Sequence, residues 1–162
     1  MEKSNIDEKI KLLTGSGMWH TQEVEGLPSV HLSDGPHGLR KQEEKERQNN
    51  VSLVSTCYPT ASALACSWDV TAAERLGRAV AKEAWNADVA VLLGPGINMK
   101  RSPLCGRNFE YFSEDPFLAG RLGAAYVSAA QGEDVAVSLK HFAANNQETN
   151  RQTSNSQIDE RA

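Results

Sequence analysis

Three stretches of the sequence combine residue types that can bind or transform a polar ligand. The candidate site residues are Asp34 and Arg40 in the first stretch, Arg107 in the second, and Lys140, His141 and Arg151 in the third. They supply one carboxylate, which only accepts hydrogen bonds, among several cationic donors. A carboxylate can bridge two neighbouring hydroxyls, so this set suits a polyhydroxylated ligand. A phosphate or carboxylate ligand would use the cations equally well but would meet Asp34 as a like charge, and composition alone leaves both open.

A purely structural interpretation of these stretches competes with the functional one. Asp34-Gly35-Pro36 is typical of a tight turn, and a solvated loop would account for Lys140. However, the apolar run 135–139 ends abruptly at Lys140-His141, and ligands of α/β proteins gather where the carboxyl ends of parallel strands meet. If the apolar runs are parallel strands, the three stretches lie on one face of the sheet and form the rim of a site.

Apolar patterns predict the strands of that sheet. We expect strands at 27–32, where apolar residues alternate, at 88–93, which is almost continuously apolar, and at 135–139. The small apolar residues 58–66 suit a further buried strand or a tightly packed turn. The mixed-charge run 41–50 is expected to be an exposed loop.

Helical spacing predicts the elements between the strands. We expect a first helix at 6–13, with Ile6, Ile10 and Leu13 as its apolar residues. A second helix begins from a cap at Asp69 or Thr71 and buries Leu76, Val80 and Ala84. A third runs from Asp115-Pro116 to about Gly132 and buries Leu118, Leu122 and Tyr126. Trp68 is expected in the core and Trp85 is expected to pack at the end of the second of these helices, and 154–162 is typical of the start of another helix. The alternation of strand, polar loop and helix predicts a parallel sheet with right-handed crossovers.

The overall composition argues against several classes of protein. With 17 basic and 21 acidic residues the net charge is -4, which offers no basic surface to nucleic acid or to an anionic membrane. No run approaches the roughly 18 apolar residues of a membrane span, and residues 1–9 lack an apolar leader, so we expect a soluble, cytoplasmic protein. The three cysteines lack metal-ligand spacing and indicate reduced thiols. No metal or cofactor is expected.

A glycine-rich turn after the second predicted strand raises a nucleotide-binding alternative. Leu93-Gly94-Pro95-Gly96 is similar to the start of the G-x-G-x-x-G fingerprint, but Met99 stands where its third glycine belongs. This alternative is therefore the weakest of those considered.

Four motifs together resemble the N-terminal domain of glycoside hydrolase family 3, in particular its β-glucosidase branch. They are SDGPHGLR at 33–40, LLGPGIN at 92–98, RSPLCGRNFEYFSEDP at 101–116 and KHFAANNQETNR at 140–151. The motifs occur in the family's order and spacing and extend over nearly the whole chain. The N-acetylglucosaminidase branch has Lys-His-Phe-Pro-Gly-His-Gly where this chain has KHFAANN, which favours a glucosidase.

The resemblance implies a (β/α)8 barrel followed by an α/β sandwich domain, and a retaining exo-β-glucosidase that acts on terminal non-reducing β-D-glucosyl residues. It assigns the candidate residues to the sugar in the -1 subsite: Asp34 would grip its hydroxyls with Arg40 in support, Arg107, Lys140 and His141 would donate to it, and Arg151 would lie beside the nucleophile. These roles concern binding and positioning.

The residues that would cleave the glycosidic bond are not identifiable in this sequence. A retaining glycosidase needs two carboxyl groups about 5 Å apart. The family's nucleophile belongs to a Ser-Asp-Trp type motif on a later strand, and its acid/base glutamate comes from the second domain; Trp68-Asp69 stands in the wrong place. Because a typical barrel needs roughly 250 residues, we expect residues 1–162 to be about the first half of an incomplete (β/α)8 barrel, with the rest of the barrel and the sandwich domain absent.

Two classes of function remain open from the sequence. The first is a piece of a β-glucosidase whose substrate is a small β-glucoside or oligosaccharide, or of a relative that acts on β-xylosides or other β-glycosides. The second is a sugar-binding or folding unit without turnover. A half barrel exposes sheet edges and apolar helix faces, so we also expect the chain alone to self-associate.

Overall fold

The computed structural model describes residues 6–42 and 51–161, which form an α/β arrangement. In chain order the elements are helix α1 (Ile6–Lys11), strand β1 (Leu32–Asp34), helices α2 (Ala61–Ala65) and α3 (Val70–Asn86), strand β2 (Val91–Leu93), a 3₁₀ turn (Asn108–Glu110), helix α4 (Pro116–Gln131) and strand β3 (Ala136–Val137). Within those ranges no helix is both long and apolar enough to cross a bilayer. Residues 43–50 of the predicted exposed loop lie outside the described part of the chain.

The three strands form one parallel sheet in the order β1-β2-β3. Leu32 pairs with Val91 and Asp34 with Leu93, while Val91 also pairs with Ala136. Strands that lie side by side in chain order, with helices in their connections, match the arrangement within a (β/α)8 barrel. In a doubly wound sheet, by contrast, the order of the strands reverses part-way across the sheet. The predicted α/β class and the parallel pairing are confirmed.

The first strand begins later than the sequence predicts. Leu27 folds back on Val24 through two backbone hydrogen bonds of 3.0 and 3.1 Å. Gly26 lies in this turn with a φ of +78°, a conformation that favours glycine. Leu27 thus belongs to the turn, residues 28–31 form no regular strand, and β1 runs from Leu32 to Asp34.

The other two strands are also shorter than predicted, because β2 begins late and β3 ends early. Asp88 adopts a left-handed φ of +54° in the turn after α3, so the regular strand starts only at Val91. After Val137 the backbone leaves the regular ladder, and the Lys140 N–H donates to the Pro95 carbonyl at 3.2 Å. The chain beyond β3 is thereby attached to the loop beyond β2.

The two long helices form as predicted. Asp69 caps α3 by accepting from the Thr71 N–H at 2.8 Å, and Asp115 caps α4 in the same way with Pro116 in the first turn. The buried stripe consists of Leu76, Val80 and Ala84 on α3 and of Leu122 and Tyr126 on α4. Leu118, which was also predicted to be buried, is only partly buried. Leu76, Val80, Ala84 and Tyr126 pack with Val89, Leu92 and Val135 of the sheet region in one core cluster. Leu122 belongs to a second cluster, with Ala73 of α3 and Phe112.

Three sequence predictions about connecting segments are wrong. Residues 61–65 form the short helix α2 rather than the expected strand or tightly packed turn, because the Thr60 hydroxyl accepts from a backbone N–H of the first turn and caps a helix. Trp68 is 74% exposed in a left-handed turn between α2 and α3. Trp85 is 60% exposed because it lies about 140° around α3 from Val80, away from the buried stripe.

The predictions for the two terminal stretches hold only in part. Helix α1 forms within the predicted range 6–13, but Ile6, Ile10 and Leu13 are exposed and bury no stripe. Residues 154–161 form no helix. Helix α1 has acidic residues in its first turn and basic residues in its last turn, which suits the helix dipole. Residues 154–161 are exposed throughout, so no packing offsets the cost of nucleating a helix there.

Two glycines inside the long helices predict opposite effects of the same substitution. A Cβ on Gly77 of α3 would lie 2.4 Å from the Tyr126 carbonyl oxygen of α4, whereas a Cβ on Gly120 of α4 would meet nothing within 4 Å. We expect Gly77→Ala to destabilise the fold by about 1–3 kcal/mol through overpacking, and Gly120→Ala to stabilise it by roughly 0.5–1 kcal/mol through helix propensity. Urea unfolding of both variants measures these effects. A stabilising Gly77→Ala would contradict the close approach of α3 and α4.

Candidate functional site

Lys140 lies between two carboxylates at the carboxyl ends of the strands. Its Nζ is 3.3 Å from Asp34 Oδ1 and 3.3 Å from Glu110 Oε2. Asp34 ends β1, Glu110 closes the 3₁₀ turn that follows β2, and Lys140 comes soon after β3. The structure therefore brings Asp34 and Lys140 together at one edge of the sheet, as a parallel arrangement requires. Their roles toward a ligand stay predictions.

Glu110 is the buried centre of this cluster. Its side chain is 7% exposed, and it pairs with the guanidinium of Arg107 as well as with Lys140. Burial alone would raise the pKa of Glu110, but the hydrogen bond from Arg107 and the charge of Lys140 outweigh burial and hold the pKa below its ordinary value. Burial acts in the lowering direction on Arg107, where pairing with Glu110 prevails and raises the pKa. Glu110 is thus a fixed anion rather than a proton donor.

A second hydrogen-bonded chain leads from His141 to Glu148. His141 Nδ1 lies 2.6 Å from the hydroxyl of the fully buried Tyr111. The side-chain amide of Asn145 donates to that hydroxyl at 2.9 Å and to Glu148 Oε1 at 2.7 Å. Burial, followed by the charge of the neighbouring Arg107, lowers the pKa of His141, so the imidazole is mainly neutral at about pH 7.

Asn98, in the loop after β2, braces the segment that carries this second chain. Its Oδ1 accepts from the Asn145 N–H at 2.9 Å, and its Nδ2 donates to the Asn145 carbonyl and to Asn146 Oδ1, both at 3.0 Å. Asn98 is buried, where hydrogen bonds are stronger than in water. The loop after β2 therefore fixes the conformation of the loop after β3.

Arg40 and Arg151 lie at the rim of the cluster. The Arg40 N–H donates to the Asp34 carbonyl at 2.9 Å and closes the turn after β1, while the Arg40 side chain is exposed. Arg151 Nη1 lies 3.3 Å from Glu148 Oε2 and is largely exposed. Of the six sequence-predicted site residues, the other four belong to the connected cluster and these two stand at its edge.

Sequence reasoning missed the residues that connect the cluster, namely Asn98, Glu110, Tyr111, Asn145 and Glu148. Glu110 could have been found, because it stands three residues after Arg107, a spacing at which a helical turn places opposite charges side by side. The other contacts join loops that are distant in the chain. No local pattern predicts them.

The glycine-rich turn after β2 is explained by packing of the loops against one another. A Cβ on Gly94 would lie 2.7 Å from Pro36 Cβ, and a Cβ on Gly96 would lie 2.6 Å from the Glu110 carbonyl oxygen. Gly96 also forms a parallel bridge to Lys140. The segment after this turn is irregular up to the 3₁₀ turn, so the nucleotide-binding alternative lacks the helix N-terminus that it needs.

Two histidines and one carboxylate of this region predict a loss of stability in acid. Burial lowers the pKa of His37 and of His141, and the pKa of Glu110 is lowered by its cations against the effect of burial. As the pH falls, these groups therefore take up protons at a higher pH in the unfolded chain than in the folded one, and this protonation favours unfolding. The histidine contribution is complete above about pH 6.5 and declines below it, and the Glu110 contribution is lost below about pH 4.5. We expect a lower urea midpoint at about pH 5.5 than at about pH 7.5.

His37→Gln is the variant that checks the origin of this pH dependence. The buried His37 Nε2 has no hydrogen-bond partner within the described ranges, so its removal breaks no bond of that atom. The variant should show a weaker fall of the urea midpoint in acid. A midpoint that rises as the pH is lowered would contradict the prediction.

A parallel α/β sheet whose strands follow one another in chain order, with ion-paired polar side chains at their carboxyl ends, is the arrangement found within a (β/α)8 barrel. The sequence matches one family of this class: the model of the Glycosyl hydrolase family 3 N terminal domain covers residues 35–161. The chain belongs to this family, and the resemblance found in its motifs is confirmed.

Known relatives extend the comparison. Thermostable beta-glucosidase B of Acetivibrio thermocellus is 50% identical over 165 residues, covering 99% of this chain and 22% of that protein. An exo-alpha-(1->6)-L-arabinopyranosidase of Bifidobacterium longum is 47% identical over 162 residues, covering 97% of this chain and 21% of that protein. The solved structure of beta-glucosidase 3B from Thermotoga neapolitana in complex with glucose has a TM-score of 0.82 and 38% identity, covering 91% of this chain and 23% of that one. The chain thus spans about a fifth of the length of these relatives.

Proposed function

We propose that this chain is part of a retaining exo-β-glucosidase that hydrolyses terminal non-reducing β-D-glucosyl residues, and that it supplies sugar-binding groups of the -1 subsite. The observation that carries the proposal is the cluster of Asp34, Lys140 and Glu110 at the carboxyl ends of parallel strands. The likeness to a beta-glucosidase solved with glucose supports the same class of ligand. The substrate is then a small β-glucoside or an oligosaccharide.

Asp34 is the acceptor that the sugar requires. Its side chain is 35% exposed, whereas that of Glu110 is 7% exposed, so an incoming hydroxyl reaches Asp34 first. The two oxygens of Asp34 can serve two neighbouring hydroxyls, and Lys140 has three donor protons to share between carboxylates and ligand. Glu110 continues to neutralise Lys140 while Asp34 turns to the sugar.

The remaining predicted residues add donors and support. Arg107 carries five N–H groups and the neutral ring of His141 carries one, and both lie near the carboxylate of Glu110. Arg151 holds Glu148 from the rim, and Arg40 closes the turn that presents Asp34. Together they surround a sugar ring with directed hydrogen-bonding groups.

The carboxylates of the cluster suit binding rather than bond cleavage. A retaining glycosidase uses a nucleophile and an acid/base about 5 Å apart, and the acid works with a raised pKa. Glu110 has a lowered pKa and two cationic partners, and Glu148 is paired with Arg151. We therefore place the nucleophile and the acid/base outside residues 1–162, in the remainder of a barrel and a second α/β domain.

A second candidate substrate is an α-L-arabinopyranoside, because one relative at 47% identity is an exo-alpha-(1->6)-L-arabinopyranosidase. An arabinopyranose ring lacks the exocyclic CH₂OH group of glucose but offers ring hydroxyls to the same donors and acceptors. A xylopyranoside lacks that group as well. L-Arabinopyranose also differs from glucose in the configuration of its C4 hydroxyl, so selectivity between these two sugars depends on the groups that bind that hydroxyl as well as on the space around C5.

Turnover of aryl glycosides by the full-length protein tests the proposal. We expect the highest kcat/KM on an aryl β-D-glucoside, with the first product released in the β configuration as seen by NMR. Higher kcat/KM on an aryl α-L-arabinopyranoside would favour the second candidate, and absence of turnover on both would overturn the proposal. The 162-residue chain alone is expected to be inactive, so turnover by it would contradict our placement of the catalytic carboxylates.

The chain alone is also proposed to self-associate. Large apolar side chains stand on its surface, including Trp68, Leu104, Phe117 and Phe142. Burial of such groups between copies is favourable in proportion to the apolar area removed from water. A monodisperse monomer in size-exclusion chromatography would contradict this. Cytoplasmic localisation is likewise a proposal, which rests on the composition of the sequence.

A further inference from the structure

A partly buried relay of hydrogen bonds runs from Glu148 through Asn145 and Tyr111 to His141 Nδ1. We propose that Glu148, Asn145 and Tyr111 hold the neutral His141 ring as its Nε2–H tautomer, and so make Nε2 a hydrogen-bond donor to the bound ligand. The three are positioning residues because they act through His141. The donation to a sugar rests on the proposed function, whereas the tautomer does not.

The relay begins at Glu148, which fixes the orientation of the Asn145 amide. Glu148 Oε2 is paired with Arg151 at 3.3 Å, and Glu148 Oε1 lies 2.7 Å from the Asn145 side chain. An ionised carboxylate only accepts hydrogen bonds, so the Asn145 atom that faces it is the NH₂ group and not the amide oxygen. The second N–H of that NH₂ group then reaches the Tyr111 hydroxyl at 2.9 Å.

The Tyr111 hydroxyl accepts from Asn145 and must therefore give its single proton to another group. Tyr111 is fully buried, and burial raises the pKa of its hydroxyl, so the proton is retained at neutral pH. Within the described part of the chain the acceptor in reach is His141 Nδ1 at 2.6 Å. A buried O–H that made no bond would be strongly unfavourable. The Tyr111 proton consequently points to Nδ1, which is the unprotonated nitrogen.

The neutral His141 ring then carries its one proton on Nε2. Burial and the charges of Arg107 and Lys140 keep the ring neutral by lowering its pKa. The ring is also held in direction, because the rings of Tyr111 and His141 meet edge to face at 82° with centroids 5.7 Å apart. The cluster thereby gains a donor of fixed direction that adds no charge.

Selective ¹⁵N labelling of histidine in the full-length protein tests the tautomer directly. NMR separates protonated from unprotonated ring nitrogens, and His141→Gln identifies the His141 signals by their loss. We expect Nδ1 unprotonated and Nε2 protonated at about pH 7 in the unmutated protein. Tyr111→Phe and Asn145→Ala should shift both signals toward the average of two tautomers. Tyr58→Phe is the matched control, because it removes a hydroxyl that donates to Glu83 on α3 and should leave the His141 signals unchanged.

Kinetics of the same variants separate the relay from the proposed function. Tyr111→Phe should raise KM and lower kcat/KM on an aryl β-D-glucoside by about 2- to 10-fold, the net effect of one hydrogen bond, while Tyr58→Phe stays near the parent. A protonated Nδ1 in the unmutated protein would overturn the relay whatever the activity. An Nε2–H tautomer in a protein without β-glycosidase activity would support the relay and overturn the ligand role given to Nε2.

Discussion

Asp34→Asn in the full-length protein should lower kcat/KM on an aryl β-D-glucoside by about 10²- to 10⁴-fold without unfolding the protein. Hydrogen bonds to a charged group contribute about 1.5–3 kcal/mol each, and one carboxylate serves two sugar hydroxyls. An asparagine keeps one acceptor and replaces the other with a donor. Lys140 retains Glu110 at 3.3 Å after the change, so binding suffers more than folding.

Asp88→Asn is the matched control for this experiment. Asp88 is an exposed aspartate in the turn that leads into β2, at the opposite end of the sheet from Asp34. Asparagine tolerates the left-handed conformation found there, so the substitution removes the same charge without strain. Its kcat/KM should stay within about twofold of the parent. If Asp34→Asn behaved like Asp88→Asn, the assignment of Asp34 to the sugar would be wrong.

Glu110→Ala is expected to impair both stability and activity. The side chain of Glu110 is 7% exposed and pairs with Arg107 and Lys140. Removal of one partner of a buried ion pair costs about 3–5 kcal/mol, because the remaining charges stay desolvated and uncompensated. Lys140 would then keep Asp34 as its remaining carboxylate partner, and Asp34 would be less available to accept hydrogen bonds from the proposed sugar. We expect a clearly lower urea midpoint and a loss of kcat/KM in the full-length protein.

Glu110→Gln and Glu114→Ala separate the contributions to this effect. Glutamine preserves the shape and some hydrogen bonding of Glu110 but removes its charge. The urea midpoint and the kcat/KM of Glu110→Gln should therefore lie between those of the parent and those of Glu110→Ala. Glu114 is an exposed glutamate four residues further along, and its removal should leave both stability and turnover nearly unchanged. Equal stability of Glu110→Ala and Glu114→Ala would show that the buried pairs contribute nothing to folding.

The elements that local chemistry controls were predictable from the sequence, and those that depend on distant contacts were not. Asp69 and Asp115 cap the long helices because a carboxylate accepts from the free N–H groups of a first turn, which is a property of a few neighbouring residues. The sequence of residues 58–66 leaves a strand and a tightly packed turn open and does not predict helix α2, because a short run of small residues carries no period of its own. Trp68 was expected inside on account of its size, but its exposure depends on the turn in which it stands.

The candidate site shows the same division. Asp34, Lys140 and His141 could be singled out, because polar side chains directly after apolar strands identify the carboxyl edge of a parallel sheet. Among the residues that connect the site, Glu110 is indicated by its spacing from Arg107, whereas the others follow no recognisable local pattern. Tyr111 stands within the motif at 101–116, and no short-range pattern shows that it contacts His141 and Asn145.

The sequence by itself determined the family, the parallel α/β arrangement and the set of cations and carboxylate at the strand ends, since these depend on residue types and on short spacings. Only the tertiary structure decided how those groups are held. It placed Glu110 between Arg107 and Lys140 and connected His141 to Glu148 through Tyr111 and Asn145. The physical reason is that ion pairs and hydrogen bonds act over a few ångströms, and which groups come that close depends on how three loops, distant in the chain, converge at the edge of one sheet.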